Sequence, residues 1–226
     1  MKNPEKVLNG LISVMPDFEK EIRDLIESKT MPYMKLMAYY NCAMMEVETK
    51  FRVLDEDFSL ENDRNPIESI KTRLKSPESI LEKLTAKRLP MTVESIEENI
   101  RDIAGVRVIC LFPDDVYMLA DALLRQDDIT LIEKKDYIKN PKDNGYRSLH
   151  LIVEVPIFLA DETRRMKVEI QLRTIAMDCW ATLEHQMIYK KDFSFTPEMT
   201  EELRRCAALA SELDERMNLL NNNIPR

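Results

Sequence analysis

Glycine is scarce in this sequence: Gly10, Gly105 and Gly145 are the only three among 226 residues. That excludes a Walker A loop and a GxGxxG fingerprint, both of which need several glycines to bring backbone N–H groups close to phosphates. Any phosphate would have to be held by basic side chains and a metal instead. Histidine is scarcer, with only His150 and His185, so HExxH and zinc-finger ligand sets are ruled out. The four cysteines, Cys42, Cys110, Cys179 and Cys206, are far apart and lie in apolar patterns. They read as reduced core thiols rather than as a disulfide frame or zinc site. No apolar run reaches the ~20 residues that a membrane helix needs. The opening stretch, broken by Asn9, Gly10 and Pro16, lacks the continuous apolar region of a secretory signal, so a cytoplasmic protein is expected. Positive charge is not in excess either. The 33 Lys and Arg against 41 Asp and Glu give a net charge of −8, which argues against broad electrostatic binding of nucleic acid.

What is present is ordinary for a globular domain: 44% hydrophobic and 33% charged residues, over a length suited to one sizeable domain. Apolar residues recur at Tyr33, Met37, Tyr40, Met44, Val47, Phe51 and Leu54 in steps of four and three, the stripe of an amphipathic helix. A second stripe, Met199, Leu203, Cys206, Ala210, Leu213, Met217 and Leu220, follows Thr196 as N-cap and Pro197 as first helical residue. Such faces must be buried, either on the middle of the chain or between copies of it. The middle alternates strand and helix signals. Strands are predicted at Ile67 to Lys75, Arg107 to Phe112, Thr130 to Tyr137, Leu149 to Phe158 and Met166 to Arg173, with helices from Pro77 and after Asp114. The expected class is α/β or α+β: a mixed sheet over residues 65–190, flanked by an N-terminal helical arm (1–64) and a C-terminal helix (191–226), all one domain.

Four segments carry residues fit for chemistry. Strand alternation puts Lys71, Arg73 and Lys75 on one face, just before a helix capped by Ser76 and opened by Pro77. Between Lys71 and Arg88 six basic residues face two acidic ones, a local excess of +4 in a chain of −8. This is either a solvated face or a polyphosphate site. Asp102, shortly before a buried strand, is either an ion-pair partner of Arg107 or a metal-ligating carboxylate at the mouth of a sheet. In the last strand Val168, Ile170 and Leu172 point one way and Glu169, Gln171 and Arg173 the other, giving a solvent-facing edge or a polar cleft. The turn at Asn144-Gly145 brings Lys139, Lys142, Tyr146, Arg147 and His150 together, as a plain loop or as a base-stacking and phosphate-contacting one.

Taken in order, Arg73-x-Lys75-Ser76-Pro77-x-Ser79-Ile80-x-x-Lys83, Asp102-Ile-Ala-Gly-x-Arg107, Asn144-Gly-Tyr146-Arg-Ser-Leu-His150 and Glu169-Ile-Gln171-Leu-Arg173-Thr174 resemble the synthetase domain of the RelA/SpoT alarmone enzymes. The resemblance runs from about Asn65 to Tyr189, includes Trp180-Ala-Thr-Leu-Glu184-His185, and is nearest in form to the stand-alone small synthetases. It implies a nucleotidyltransferase-like sheet and transfer of the β,γ-pyrophosphoryl group of ATP to the 3′-OH of GDP or GTP, giving (p)ppGpp and AMP. It also implies that Arg73, Lys75, Ser79, Lys83 and Arg107 serve the ATP site. Lys142, Asn144, Tyr146, His150 and Gln171 would surround the acceptor, and Asp102 and Glu169 would be catalytic and hold Mg²⁺. A homotetramer in the cytoplasm is implied, with no DNA or membrane partner and no support for RNA binding.

His150 precedes Leu151 and His185 precedes Gln186, so the His-Asp pair of the family's hydrolase domain is missing, and synthesis without hydrolysis is expected. The length leaves no room for the family's carboxy-terminal regulatory domains. Some small synthetases carry Phe-x-Thr before the ATP-site arginine and Asn before an aromatic residue. Here those places hold Ser69-Ile70-Lys71 and Asp178-Cys179, which speaks against activation by pppGpp of that type. Two other readings compete: a nucleotidyltransferase that releases pyrophosphate, and a non-catalytic guanine-nucleotide or RNA-binding regulator.

Overall fold

The structure, a computed structural model, describes residues 30–62, 64–188 and 196–224. Helix α1 (Met31–Asn62) leads into strand β1 (Ile67–Leu74), helices α2 (Pro77–Ala86) and α3 (Val93–Asn99), and strand β2 (Ala104–Cys110). Helix α4 (Pro113–Leu124), strands β3 (Thr130–Asp136), β4 (Leu149–Phe158) and β5 (Thr163–Thr174), and helices α5 (Ile175–Ile188) and α6 (Pro197–Asn222) complete the chain. Among the described residues no helix is long and apolar enough to cross a membrane.

The five strands form one mixed sheet in the order β1-β2-β5-β4-β3, with β2 and β5 parallel and the other neighbours antiparallel. Its alternation sorts the faces. Val106 and Val108 of β2, Leu149, Leu151 and Val153 of β4, and Val168, Ile170 and Leu172 of β5 join one buried cluster with Tyr40, Val47 and Phe51 of α1 and Val116, Leu119 and Leu123 of α4. The α1 stripe is therefore intramolecular core: Tyr40, Met44, Val47 and Phe51 are buried against β1, β2, β4 and β5. The α6 stripe behaves differently. The buried residues of α6 are Ala207 and Asp214, neither of them in the stripe, while Leu213, Met217 and Leu220 stay exposed.

Local signals set the boundaries. Ser76 Oγ accepts the Ser79 N–H at 3.3 Å with Pro77 in the first turn, which starts α2 as the sequence suggests. Thr196 Oγ1 does the same for Met199 N–H at 3.3 Å in α6. The second strand corrects the sequence reading: it begins at Ala104 and ends at Cys110, because Phe112 already has its N–H bound by Asp115 at the start of α4. β3 stops at Asp136, whose carboxylate accepts the N–H groups of Ile138 and Lys139 and turns the chain. β5 starts at Thr163, earlier than its apolar pattern shows, because Thr163 and Arg164 pair with Phe158 and Ile157. All four cysteines are free; Cys110 is buried in the core and Cys42 is partly buried against it, whereas Cys179 and Cys206 are exposed and correct the reading of all four as core thiols.

Candidate active site

The sheet face opposite the α1/α4 layer carries the polar half of the strand alternation. Register places Arg73 of β1 and Glu169 of β5 on either side of Gly105 in β2. Two residues along each strand, Lys71, Arg107, Gln171 and His150 follow one another across β1, β2, β5 and β4. With the Lys142–Tyr146 turn and the inner side of α5 these rows line an open cavity of about 720 Å³. Arg73, Arg107, Lys142, Asn144, Tyr146, His150, Glu169 and Gln171 all reach its wall. Lys75, Ser79, Lys83 and Asp102 are not in its lining; Lys75, Lys83 and Asp102 form a cluster of their own where β1 gives way to α2 and the chain enters β2, which Ser79 does not join.

In that cluster Asp102 Oδ2 accepts from Lys83 at 2.5 Å and from Lys75 at 3.0 Å. Asp102 therefore pairs with these lysines rather than with Arg107. Burial by itself would raise its pKa, but the hydrogen bonds and charges of Lys83 and Lys75 outweigh that and hold the carboxyl below its ordinary value. Glu169 is shifted the other way. Burial raises its pKa, the negative charge of Asp102 raises it further, and Gln171 Nε2, donating to Glu169 Oε2 at 3.1 Å, only partly offsets this. Two carboxylates are thus near enough to feel each other, one ionised beside two ammonium groups and one inclined to take a proton. Ser76 Oγ, the cap of α2, donates to Ser79 Oγ at 3.2 Å, and Lys87 Nζ turns away to donate to the Asn99 carbonyl.

On the far side Tyr146 sits in a network. Its hydroxyl meets His150 Nε2 at 2.8 Å and accepts from Arg173 Nη2 at 2.9 Å. Lys142 Nζ lies 4.9 Å from the centre of the Tyr146 ring and 4.8 Å from that of Tyr137. The turn is fixed by Gly145 N–H donating to the Lys142 carbonyl at 2.8 Å and Tyr146 N–H donating to Asn144 Oδ1 at 3.1 Å. Gly145 has φ +93°, so the turn needs glycine there. Burial, reinforced by Arg173 and Lys142, lowers the His150 pKa to about 3, so the ring is neutral at physiological pH.

Sequence reasoning placed Lys71 on the basic face of β1 and Arg173 in the polar row of β5, but gave Asp178 and Glu184 no role in the site. Asp178, at the start of α5, pairs with Lys71 at 3.2 Å, Arg173 at 3.4 Å and Arg107 at 3.5 Å. Arg173 is buried and also donates to Gln171 Oε1 at 2.8 Å, and Glu184 accepts from Asn144 Nδ2 at 3.0 Å. Lys71 lines the cavity beside them. The strand alternation already pointed to Lys71 and Arg173, and Glu184 stood in the Trp180 to His185 stretch of the resemblance without a role; α5 brings it and Asp178 to the other residues from sequence-distant positions. Arg73 contrasts with these cations, for its side chain makes no hydrogen bond or ion pair among the described residues.

A basic wall, two coupled carboxylates and an aromatic loop suit transfer between two nucleotides: cations neutralise phosphate charge, a carboxylate takes a hydroxyl proton, and a ring stacks on a base. Comparison with known proteins agrees. Residues 72–194 match the pattern of the region found in RelA/SpoT proteins. The chain is 45% identical over 178 residues to the GTP pyrophosphokinase YwaC of Bacillus subtilis, covering 79% of this chain and 85% of that protein. The crystal structure of small alarmone synthetase 2 from Bacillus subtilis superposes with a TM-score of 0.77 at 41% identity, covering 85% of this chain and 99% of the other. Small alarmone synthetase 1 from the same organism, bound to its product pppGpp, gives 0.77 at 34% identity, covering 86% and 98%.

Proposed function

This chain belongs to the RelA/SpoT family, and we propose that it is a stand-alone (p)ppGpp synthetase, moving the β,γ-pyrophosphoryl group of ATP to the 3′-OH of GDP or GTP. The acceptor oxygen bonds to the β-phosphorus, the bond from that phosphorus to the oxygen bridging the α-phosphate breaks, and AMP leaves with that oxygen. The single observation that carries this reading is the two-sided cavity. Arg73 and Arg107 stand on strands at one side, the Tyr146 turn closes the other, and Glu169 lies between them. A regulator that only bound guanine nucleotide would have no use for Glu169 and Asp102 together. Release of pyrophosphate from the α-phosphorus is the chemistry that the pyrophosphokinase relatives disfavour.

In this scheme Arg73, unpaired, takes ATP phosphate directly, while Arg107, Lys75 and Lys83 exchange their carboxylate partners for it, with Ser79 at the start of α2 beside them. Tyr146 stacks on guanine with Lys142 moving off its ring, and Asn144, His150 and Gln171 bind the rest of the acceptor. Glu169, with its raised pKa, receives the 3′-OH proton. Among the described residues no three His, Cys, Asp or Glu side chains form a ready metal cage. Two carboxylates, Asp102 and Glu169, nevertheless suit Mg²⁺, which is commonly held by one or two carboxylates and completed by substrate phosphates and water. Bound there, Mg²⁺ would neutralise charge on the transferring phosphates. We further assign the protein to the cytoplasm and to a homotetramer that uses the exposed apolar face of α6.

Substrate-resolved kinetics test the two-sided assignment. Arg73→Ala should raise the KM for ATP about tenfold, a charge-assisted contact being worth roughly 1.5 kcal/mol or more, and leave that for GDP nearly unchanged. Tyr146→Ala should do the reverse. Equal effects on both substrates would remove the division.

A further inference from the structure

Helix α6 lies beyond residues 72–194, yet it bears directly on the turn that carries Lys142, Asn144 and Tyr146. Arg204 Nε donates to the Asp143 carbonyl at 2.6 Å, and Ser211 Oγ accepts from Arg147 Nη1. A Cβ added at Gly145 would lie 2.5 Å from the Ala207 Cβ, so the helix and the turn touch with no room for a side chain. Tyr146 itself packs against a small cluster of Trp180, Ala181 and Ala207. The helix is anchored independently of the turn: Asp214, buried, accepts from Thr174 Oγ1 at 2.7 Å at the end of β5, and the Leu203 carbonyl accepts from Trp180 Nε1 at 3.0 Å.

We infer that α6 is a brace for the guanine-nucleotide side of the cavity, holding the Lys142–Gly145 turn so that Tyr146 is presented before the acceptor arrives. The inference rests on the assignment of that turn to the acceptor. The turn belongs to the connection between β3 and β4, and such a connection left to itself would lose conformational freedom on binding. A brace that orders it in advance lowers that cost and tightens acceptor binding. The residues assigned to ATP sit on β1, β2, α2 and the β1–α2 connection, which the Arg204 and Ala207 contacts do not reach. Loosening α6 should therefore act on one substrate only. Arg204 and Ala207 are positioning residues here, since neither lines the cavity.

The test is steady-state kinetics on the full chain, varying GDP and ATP separately. Arg204→Ala, at a half-exposed side chain whose loss leaves the core intact, should raise the KM for GDP about fivefold, the effect of one hydrogen bond. Ala207→Leu, which overpacks the contact with Gly145, should raise it about tenfold. In both, the KM for ATP should stay within about twofold of the parent value, and Arg204→Lys, which can still donate to the carbonyl, should recover most of the loss. Equal changes for both substrates, or no change in Arg204→Ala, would overturn the brace. Tyr146→Ala measured alongside separates the two claims. If it leaves the GDP dependence unaltered, the acceptor assignment fails; if it weakens GDP use while the α6 variants are inert, only the brace fails.

Discussion

Glu169 and Asp102 are both carboxylates near the head of the parallel strand pair, and their surroundings push them in opposite directions. Asp102 is held ionised by Lys83 and Lys75, whereas burial and the charge of Asp102 raise the pKa of Glu169. A carboxyl whose pKa is higher folded than unfolded binds more protons in the folded state, so stability falls as pH rises through that window. At neutral pH the ionised Glu169 is thus a cost to the fold, which the proposed role as proton acceptor would account for. Glu169→Gln should lose activity by about 10² or more, the usual worth of a positioned base, and should not lower the melting temperature, which is expected to rise. A melting temperature that drops with Gln in place would show that the carboxylate is structural. The acid limb of kcat should have its midpoint above the ordinary glutamate value of about 4.3, and His150, with a pKa of about 3, should add no inflection near 6.5. Asp178 is the residue the sequence concealed. Lys71, Arg107 and Arg173 stand on β1, β2 and β5, whose adjacency is a property of the sheet order that no local spacing encodes.

At the level of elements, periodicity alone cannot say what a helix is buried against. The stripes of α1 and α6 have the same rhythm, but Val47 of α1 is wholly buried while Leu213 of α6 is 55% exposed. Charge at the first should therefore unfold the protein, because an unpaired charge in a packed core is costly. Leu213→Asp with Met217→Asp should leave the monomer fold intact and reduce the molar mass seen by light scattering. A particle of 26.5 kDa before any substitution would remove the tetramer proposal. The strands were legible because alternation is a short-range signal: β4 is found as read, and the opposed rows Val168, Ile170, Leu172 and Glu169, Gln171, Arg173 separate into core and cleft. The Asn144-Gly145 turn was legible for the same reason. What escaped was how elements meet, above all that α6 closes onto that turn and that α5 delivers Glu184 to the cavity and Asp178 to the cations that line it.

The whole molecule carries a net charge of −8 and still gathers Lys71, Arg73, Arg107, Lys142 and Arg173 around one cavity. Glu169 and Glu184 are the acidic members of the same lining, so the five cations outnumber them and leave a locally positive field, which suits a polyphosphate. Glycine scarcity fits the proposed arrangement, in which side chains instead of backbone nests would take the phosphates. The central claim is that these cations, Glu169 and the Tyr146 turn carry out pyrophosphoryl transfer between two nucleotides. The most direct measurement is product analysis after incubating the protein with Mg²⁺, GDP or GTP, and ATP labelled at the γ-phosphate. Unlabelled AMP together with a labelled guanosine product that has gained two phosphates is the predicted result. Labelled free pyrophosphate with an adenylated product, or no turnover by the folded protein with either acceptor, would contradict it.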